Sequence, residues 1–187
     1  MADITLTPKP LLDGLEIATD TCALREVTDV ALASVAIPQG GEAAFDQALG
    51  SAFGLEMPTP TQTTVNDTAR AARIAPDQIL LMLSGRADVH IDDVEAAFAQ
   101  SGYVTDQSGS WVLCEVSGPG AIRALERLCP IDLHDSAFPV GAYARTVMEH
   151  MGAGVLRIGP ERFWLMSASS SARSFAHALE LSLRYTA

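Results

Sequence analysis

Arg73-Ile74-Ala75-Pro76-Asp77-Gln78-Ile79-Leu80-Leu81-Met82 returns 84 positions later as Arg157-Ile158-Gly159-Pro160-Glu161-Arg162-Phe163-Trp164-Leu165-Met166. In both stretches a proline and an acidic residue sit between apolar runs. Proline presets φ for the first central position of a turn, so each stretch reads as the turn and second strand of a β-hairpin. The repeat implies a duplicated chain. What repeats is turn residues and core residues, with no nucleophile, base or metal ligand among them.

Working outward, Val30 to Ile37 is apolar or small without a helical stripe, which suits a covered strand ended by Pro38-Gln39-Gly40-Gly41. Phe45, Ala48, Leu49, Ala52 and Phe53 share a helical face, and Gly54 is placed to end that helix in a left-handed conformation. Met57 to Asn66 holds two prolines and four threonines and reads as a surface loop. Ile79 to Leu83, apolar on both faces, reads as a buried central strand. Asp92 is placed to cap a helix whose inner face carries Val94, Ala97 and Phe98.

The second half replays the order. Tyr103–Asp106 and Trp111–Val116 flank Ser108-Gly109 and read as a hairpin. Ser117-Gly118-Pro119-Gly120 opens a helix carrying Ile122, Leu125 and Cys129, which Pro130 ends. After a connecting stretch, Gly154–Ile158 and Phe163–Met166 form the echoed hairpin. A last helix from about Ser169 to Ser171 onward carries the stripe Ala172, Phe175, Ala176, Leu179 and Leu183. Strand, helix, hairpin, helix thus occurs twice. The order implies an α+β fold of duplicated strand-helix-hairpin-helix units, with two antiparallel sheets each bearing helices on one face. An extended arm is expected over residues 1–20. A single duplicated domain over 21–187 follows, with half repeats at about 21–101 and 102–187.

Twelve basic against 23 acidic residues give a net charge of −11, which repels phosphate backbones and anionic membranes, so nucleic acid and membrane are not expected partners. No stretch approaches the roughly 20 apolar residues of a membrane span. The start Met1-Ala2-Asp3-Ile4-Thr5 has neither the basic nor the apolar region of a secretory signal, and a cytoplasmic location is expected. Cys22, Cys114 and Cys129 lack CxxC spacing and read as buried free thiols.

Chemistry is sparse. His90, His134, His150 and His177 include no i, i+4 pair for a metal. His177 falls off the apolar stripe of the last helix and reads as solvated. Asp132, His134 and Asp135, close behind Cys129, make the densest polar group. An acid/base or thiol/imidazole pairing is imaginable there, but turn chemistry after a helix accounts for the residues more simply. The Ser117–Gly120 stretch is not a GxGxxG fingerprint, and Pro119 removes a donor. Asp92-Asp93 complements a helix N-terminus. Trp111 and Trp164 are core or interface anchors. No catalytic, cofactor-binding or metal-ligating residue is assigned.

Val116-Ser117-Gly118-Pro119-Gly120-Ala121, then Leu128-Cys129-Pro130-Ile131-Asp132-Leu133-His134 and Ala137-Phe138-Pro139-Val140-Gly141, resemble the gamma subunit of bacterial heterotetrameric sarcosine oxidase. Leu24-Arg25-Glu26-Val27, Ala75–Leu81 and Arg173–Ala176 resemble further segments of that family, although Ala75 and Ile79 stand where Gly and Trp are usual. The family is in turn similar to the folate-binding domain of glycine-cleavage T-protein, a duplicated, interleaved α+β unit. T-protein-like enzymes carry a catalytic aspartate at a strand start, where this chain reads His150-Met151-Gly152-Ala153-Gly154-Val155. The carboxylate is missing, and Glu149 falls outside the matching position. The resemblance therefore implies a non-catalytic gamma subunit in a heterotetramer with alpha, beta and delta subunits. That complex demethylates sarcosine oxidatively to glycine. FAD, FMN, NAD and tetrahydrofolate are implied for the partner subunits and none for this chain. Two alternatives stay open: a stand-alone folate-binding protein, and the equivalent subunit of an N-methylglutamate dehydrogenase.

Overall fold

The computed structural model describes residues 9–85 and 89–187. In chain order these residues form β1 (Glu16–Ala18), β2 (Ala23–Glu26), β3 (Val30–Ala36), α1 (Glu42–Phe53), β4 (Thr64–Val65), β5 (Ala69–Ala75), β6 (Gln78–Ser84) and α2 (Ile91–Phe98). The second half contributes β7 (Tyr103–Asp106), β8 (Trp111–Ser117), α3 (Ala121–Leu125), β9 (Tyr143–Met148), β10 (Met151–Gly159), β11 (Arg162–Ala168) and α4 (Ala172–Thr186). One sheet runs β1-β2-β8-β11-β10-β9 and the other β4-β5-β6-β3-β7. Every pairing is antiparallel.

The two orders superimpose element by element, β7-β3-β6-β5-β4 on β2-β8-β11-β10-β9. The echoed hairpins share their register, with Arg73 opposite Ile79 and Arg157 opposite Phe163. Each also carries an irregularity at the same place, between Arg73 and Ala75 and between Arg157 and Gly159. Duplication is therefore present in the backbone as well as in the residues.

One expectation is overturned. Tyr103–Asp106 and Trp111–Val116 are not hairpin partners, because β7 joins β3 while β8 lies between β2 and β11. The halves thus exchange their first strands. Burial decides the matter: β8 is buried over Val112–Val116 and so takes a neighbour on each side, whereas β7 is mostly exposed and suits an edge. The connector is held to the other sheet instead, Gln107 N donating to the Leu32 carbonyl at 2.7 Å and Leu32 N to Ser108 Oγ at 3.0 Å.

Three apolar layers follow from strands that are apolar on both faces. Phe45, Leu49, Val94 and Phe98 pack α1 and α2 against the five-stranded sheet, with the Phe45 and Phe98 rings stacked at 5.0 Å. Leu125, Phe175, Leu179 and Leu183 do the same for α3 and α4 on the six-stranded sheet. Between the sheets lie Leu32, Leu80, Met82, Leu113, Leu156 and Met166. The order is helix, sheet, sheet, helix. Near one margin the sheets are tied together by Thr63 N to the Gly141 carbonyl at 2.8 Å and Tyr143 N to the Thr61 carbonyl at 3.0 Å.

Smaller corrections have local causes. Part of the expected arm, residues 1–8, lies outside the described residues. The rest of that arm is not coreless: β1 extends the six-stranded sheet, and Leu12, Leu15 and Ile17 pack on its helix-side core. Helix α2 begins one residue ahead of Asp92, with His90 at the N-cap position and no side-chain cap, leaving Asp92 and Asp93 in the first turn. Ala52 of α1 is exposed although it was expected on the inner face. Strand β9, expected only as a connecting stretch, turns into β10 through Glu149 and His150, both at positive φ (46° and 67°). Such turns normally announce themselves by Asn or Gly.

Candidate functional site

The densest polar sequence, Cys129 to Asp135, is consumed by structure. Asp132 Oδ1 accepts from His134 N at 2.9 Å, and the His134 ring Nδ1 lies 2.9 Å from Ser136 Oγ. These are turn contacts. The loop then closes over Arg157, whose side chain is only 2% exposed. Arg157 Nη1 donates to the carbonyls of Phe138 (2.9 Å) and Leu133 (3.3 Å), and Nε to that of Gly159 at 3.3 Å. Its Nη2 reaches both the Pro160 carbonyl and the Asp135 carboxylate, and the guanidinium lies 5.3 Å over the Phe163 ring. Here a buried cation is stabilised by several acceptors at once, the condition under which burying a charge is tolerated. Burial pushes the Cys129 and Cys114 thiols up, Cys114 to about 12 with the Glu26 carboxylate adding to the effect. Both are protonated at neutral pH, which removes their nucleophilic form.

The Ser117–Gly120 turn has a use that its sequence did not announce. Gly118 stands at φ +112°, and a Cβ there would overlap the Thr21 carbonyl oxygen. A Cβ on Gly120 would come within 2.6 Å of Thr21 Oγ1 and 2.8 Å of Cys22 Sγ. Both glycines let the loop between β1 and β2 lie against the start of α3. Gly118 N donates to the Glu161 carbonyl at 3.0 Å, tying this corner to the echoed turn.

A second charged group was not anticipated. Arg25, Glu115 and Trp164 stand opposite one another across β2, β8 and β11, and Arg162 lies two pairs along, on the same face. Glu115 Oε2 accepts from Arg25 Nη2 at 2.7 Å and Trp164 Nε1 at 3.0 Å, while Oε1 accepts from Arg162 Nη2 at 3.0 Å and Nε at 3.2 Å. The Glu115 side chain is 5% exposed, but those of Arg25 and Arg162 are 46% and 54% exposed. Burial alone would raise the Glu115 pKa. The hydrogen bonds from Trp164, Arg25 and Arg162 outweigh it and hold the carboxyl below its usual range. Alternation along β8 gave the only sequence signal, a Glu on the face opposite Val112, Cys114 and Val116.

The remaining histidines are dispersed. His90 begins α2, His150 is in the β9–β10 turn and His177 is exposed on α4. Among the described residues no three His, Cys, Asp or Glu side chains are grouped to hold a metal. Beside Gly152 and Gly154, where the T-protein resemblance would place its aspartate, lies a cavity of about 180 Å³ lined by Trp111, Tyr143 and Arg145 among others. Its lining carries no carboxylate.

Residues 38–186 match the model of the "Sarcosine oxidase, gamma subunit family". Sarcosine oxidase subunit gamma of Corynebacterium sp. (strain P-1) is 29% identical over 161 residues, covering 85% of this chain and 78% of that protein. The subunit gamma from Arthrobacter sp. is 29% identical over 151 residues, covering 76% and 70%. Among solved structures, a chain of heterotetrameric sarcosine oxidase from Corynebacterium sp. U-96 aligns with a TM-score of 0.79 at 24% identity, over 92% of this chain and 89% of that one. Glycine cleavage system aminomethyltransferase T from Bartonella henselae aligns at 0.56 and 16% identity, covering 85% and 45%, and shares the fold. Among the described residues no helix is long and apolar enough to cross a membrane.

Proposed function

The chain belongs to the sarcosine oxidase gamma subunit family, and from that membership we propose that it is a non-catalytic subunit of a heterotetrameric sarcosine oxidase, docking on the alpha, beta and delta subunits. The complex demethylates sarcosine oxidatively to glycine, with FAD, FMN, NAD and tetrahydrofolate held by the other chains, and works in the cytoplasm. The family match across residues 38–186 carries this reading, because it spans most of both halves of the duplicated fold. The use of the reactive groups supports it: Glu115 is saturated by donors, His134 closes a turn, and the three thiols are buried. The cavity beside Gly152, where the T-protein resemblance would place its aspartate, has no carboxylate in its lining, which favours an assembly role over a catalytic one.

Co-expression with the three partner subunits tests the proposal. The expected outcome is a chain that co-purifies at fixed stoichiometry and consumes no oxygen with sarcosine by itself. A partner complex that forms and turns over fully without it, or an isolated chain that oxidises sarcosine, overturns the assignment.

A further inference from the structure

Resting on the assembly reading above, we propose that Arg25 and Arg162, held side by side by Glu115, form a docking point for a side-chain carboxylate of a partner subunit. Two guanidinium groups stand on a single carboxylate. Both Glu115 oxygens are fully engaged, whereas Arg162 Nη1 and Arg25 Nε and Nη1 meet no acceptor among the described residues. The unclaimed donors sit on the half-exposed heads while the anion lies beneath them. Glu16 stands opposite Arg25 on the flank away from Arg162 and enters none of the ion pairs among the described residues. A surplus positive charge thus faces outward on a chain whose net charge is −11. Guanidinium donors already fixed in place can hydrogen-bond a carboxylate at little further cost in side-chain entropy.

The fold does not require this arrangement, because its other half lacks it. The equivalent positions on β7, β3 and β6 are Thr105, Ser34 and Gln78, a neutral set in the same register. Taking a carboxylate out of water is unfavourable until its partners offset it. A neutral row fills the twin site without that cost. What the charged row adds is an outward-facing, oriented cation beside Trp164, and Arg and Trp are the residues that concentrate binding energy in protein interfaces.

The test uses the full chain co-expressed with the alpha, beta and delta subunits, with assembly affinity measured at low and high salt. Arg162→Gln is expected to weaken assembly about ten-fold and to reduce its salt dependence, and Arg162→Lys to recover part of the loss. The triple change Arg25→Thr, Glu115→Ser, Arg162→Gln installs the neutral row of the other sheet. It is expected to fold with an unchanged circular dichroism spectrum yet to assemble about 10- to 100-fold more weakly. Phenylglyoxal should modify both arginines in the free chain and spare them in the complex. Wild-type affinity in the triple variant, or equal modification in both states, would each overturn the docking point. A wild-type chain that never joins its partners is a separate result, which removes the underlying reading and this inference with it.

Discussion

Arg73 and Arg157 occupy the same register in the two echoed hairpins, yet one is solvated and the other is sealed. Arg73 bends back onto the Pro76 carbonyl at the surface, its Nε 3.1 Å away. Arg157 makes the corresponding contact with Pro160 and is then covered by the loop that contributes the Leu133 and Phe138 carbonyls. The same contrast holds on another face of the sheets, where the neutral Thr105, Ser34 and Gln78 occupy the positions equivalent to the charged Arg25, Glu115 and Arg162. Where the halves agree, the residues specify scaffold. Where they differ, the second half has gained buried charge, and its demands for partners mark where the molecule has specialised.

Removing the sealed arginine should produce the largest effect. Arg157→Ala strips acceptors at Leu133 and Phe138 of their donor and leaves a void under the loop, and about 3–5 kcal/mol of stability should be lost in chemical denaturation. Arg73→Ala should cost less than about 1 kcal/mol, since only solvated contacts go. Equal losses would break the comparison.

Glycines give the next contrast. Gly118→Ala combines positive φ with overlap on the Thr21 carbonyl, for about 1–3 kcal/mol from the backbone strain alone. A Cβ on Gly152 would meet nothing within 4 Å, so Gly152→Ala should be neutral or stabilise by up to about 1 kcal/mol. Thermal melts of the two variants read this directly.

The charged row predicts a pH dependence. The Glu115 carboxyl is held below its ordinary value of 4.5 in the folded chain, so its contribution is present above that value and is lost as pH falls through the folded pKa. Denaturant midpoints followed from pH 6 down to pH 3 should fall more steeply in the wild type than in Glu115→Gln. Parallel curves would mean that the row carries no such linkage. Asp135→Asn should also be mild, below about 1 kcal/mol in chemical denaturation, because that carboxylate is 77% exposed and Arg157 keeps its carbonyl acceptors.

Much of the scaffold was legible because it rests on period and punctuation. The echoed hairpins, the Gly54 helix end at φ +64° and the α4 stripe from Ala172 to Leu183 all follow from local residue types. The strand exchange was not legible. Ser108-Gly109 satisfies a hairpin turn and a crossing connector equally, and only the non-local demand of β8 for two neighbours separates them. The β9–β10 turn escaped because Glu149 and His150 adopt positive φ without the usual residues. Nothing in the local sequence around Glu115 or Arg157 announces their burial, which is set by segments distant in the chain.

The central claim is that this duplicated body acts as a component of a larger oxidase. Native mass spectrometry of the chain co-expressed with its three partner subunits tests it most directly. The account predicts one four-chain species holding one copy of this 19.8 kDa chain. A free 19.8 kDa chain beside a complete, sarcosine-oxidising complex of the other three would contradict it.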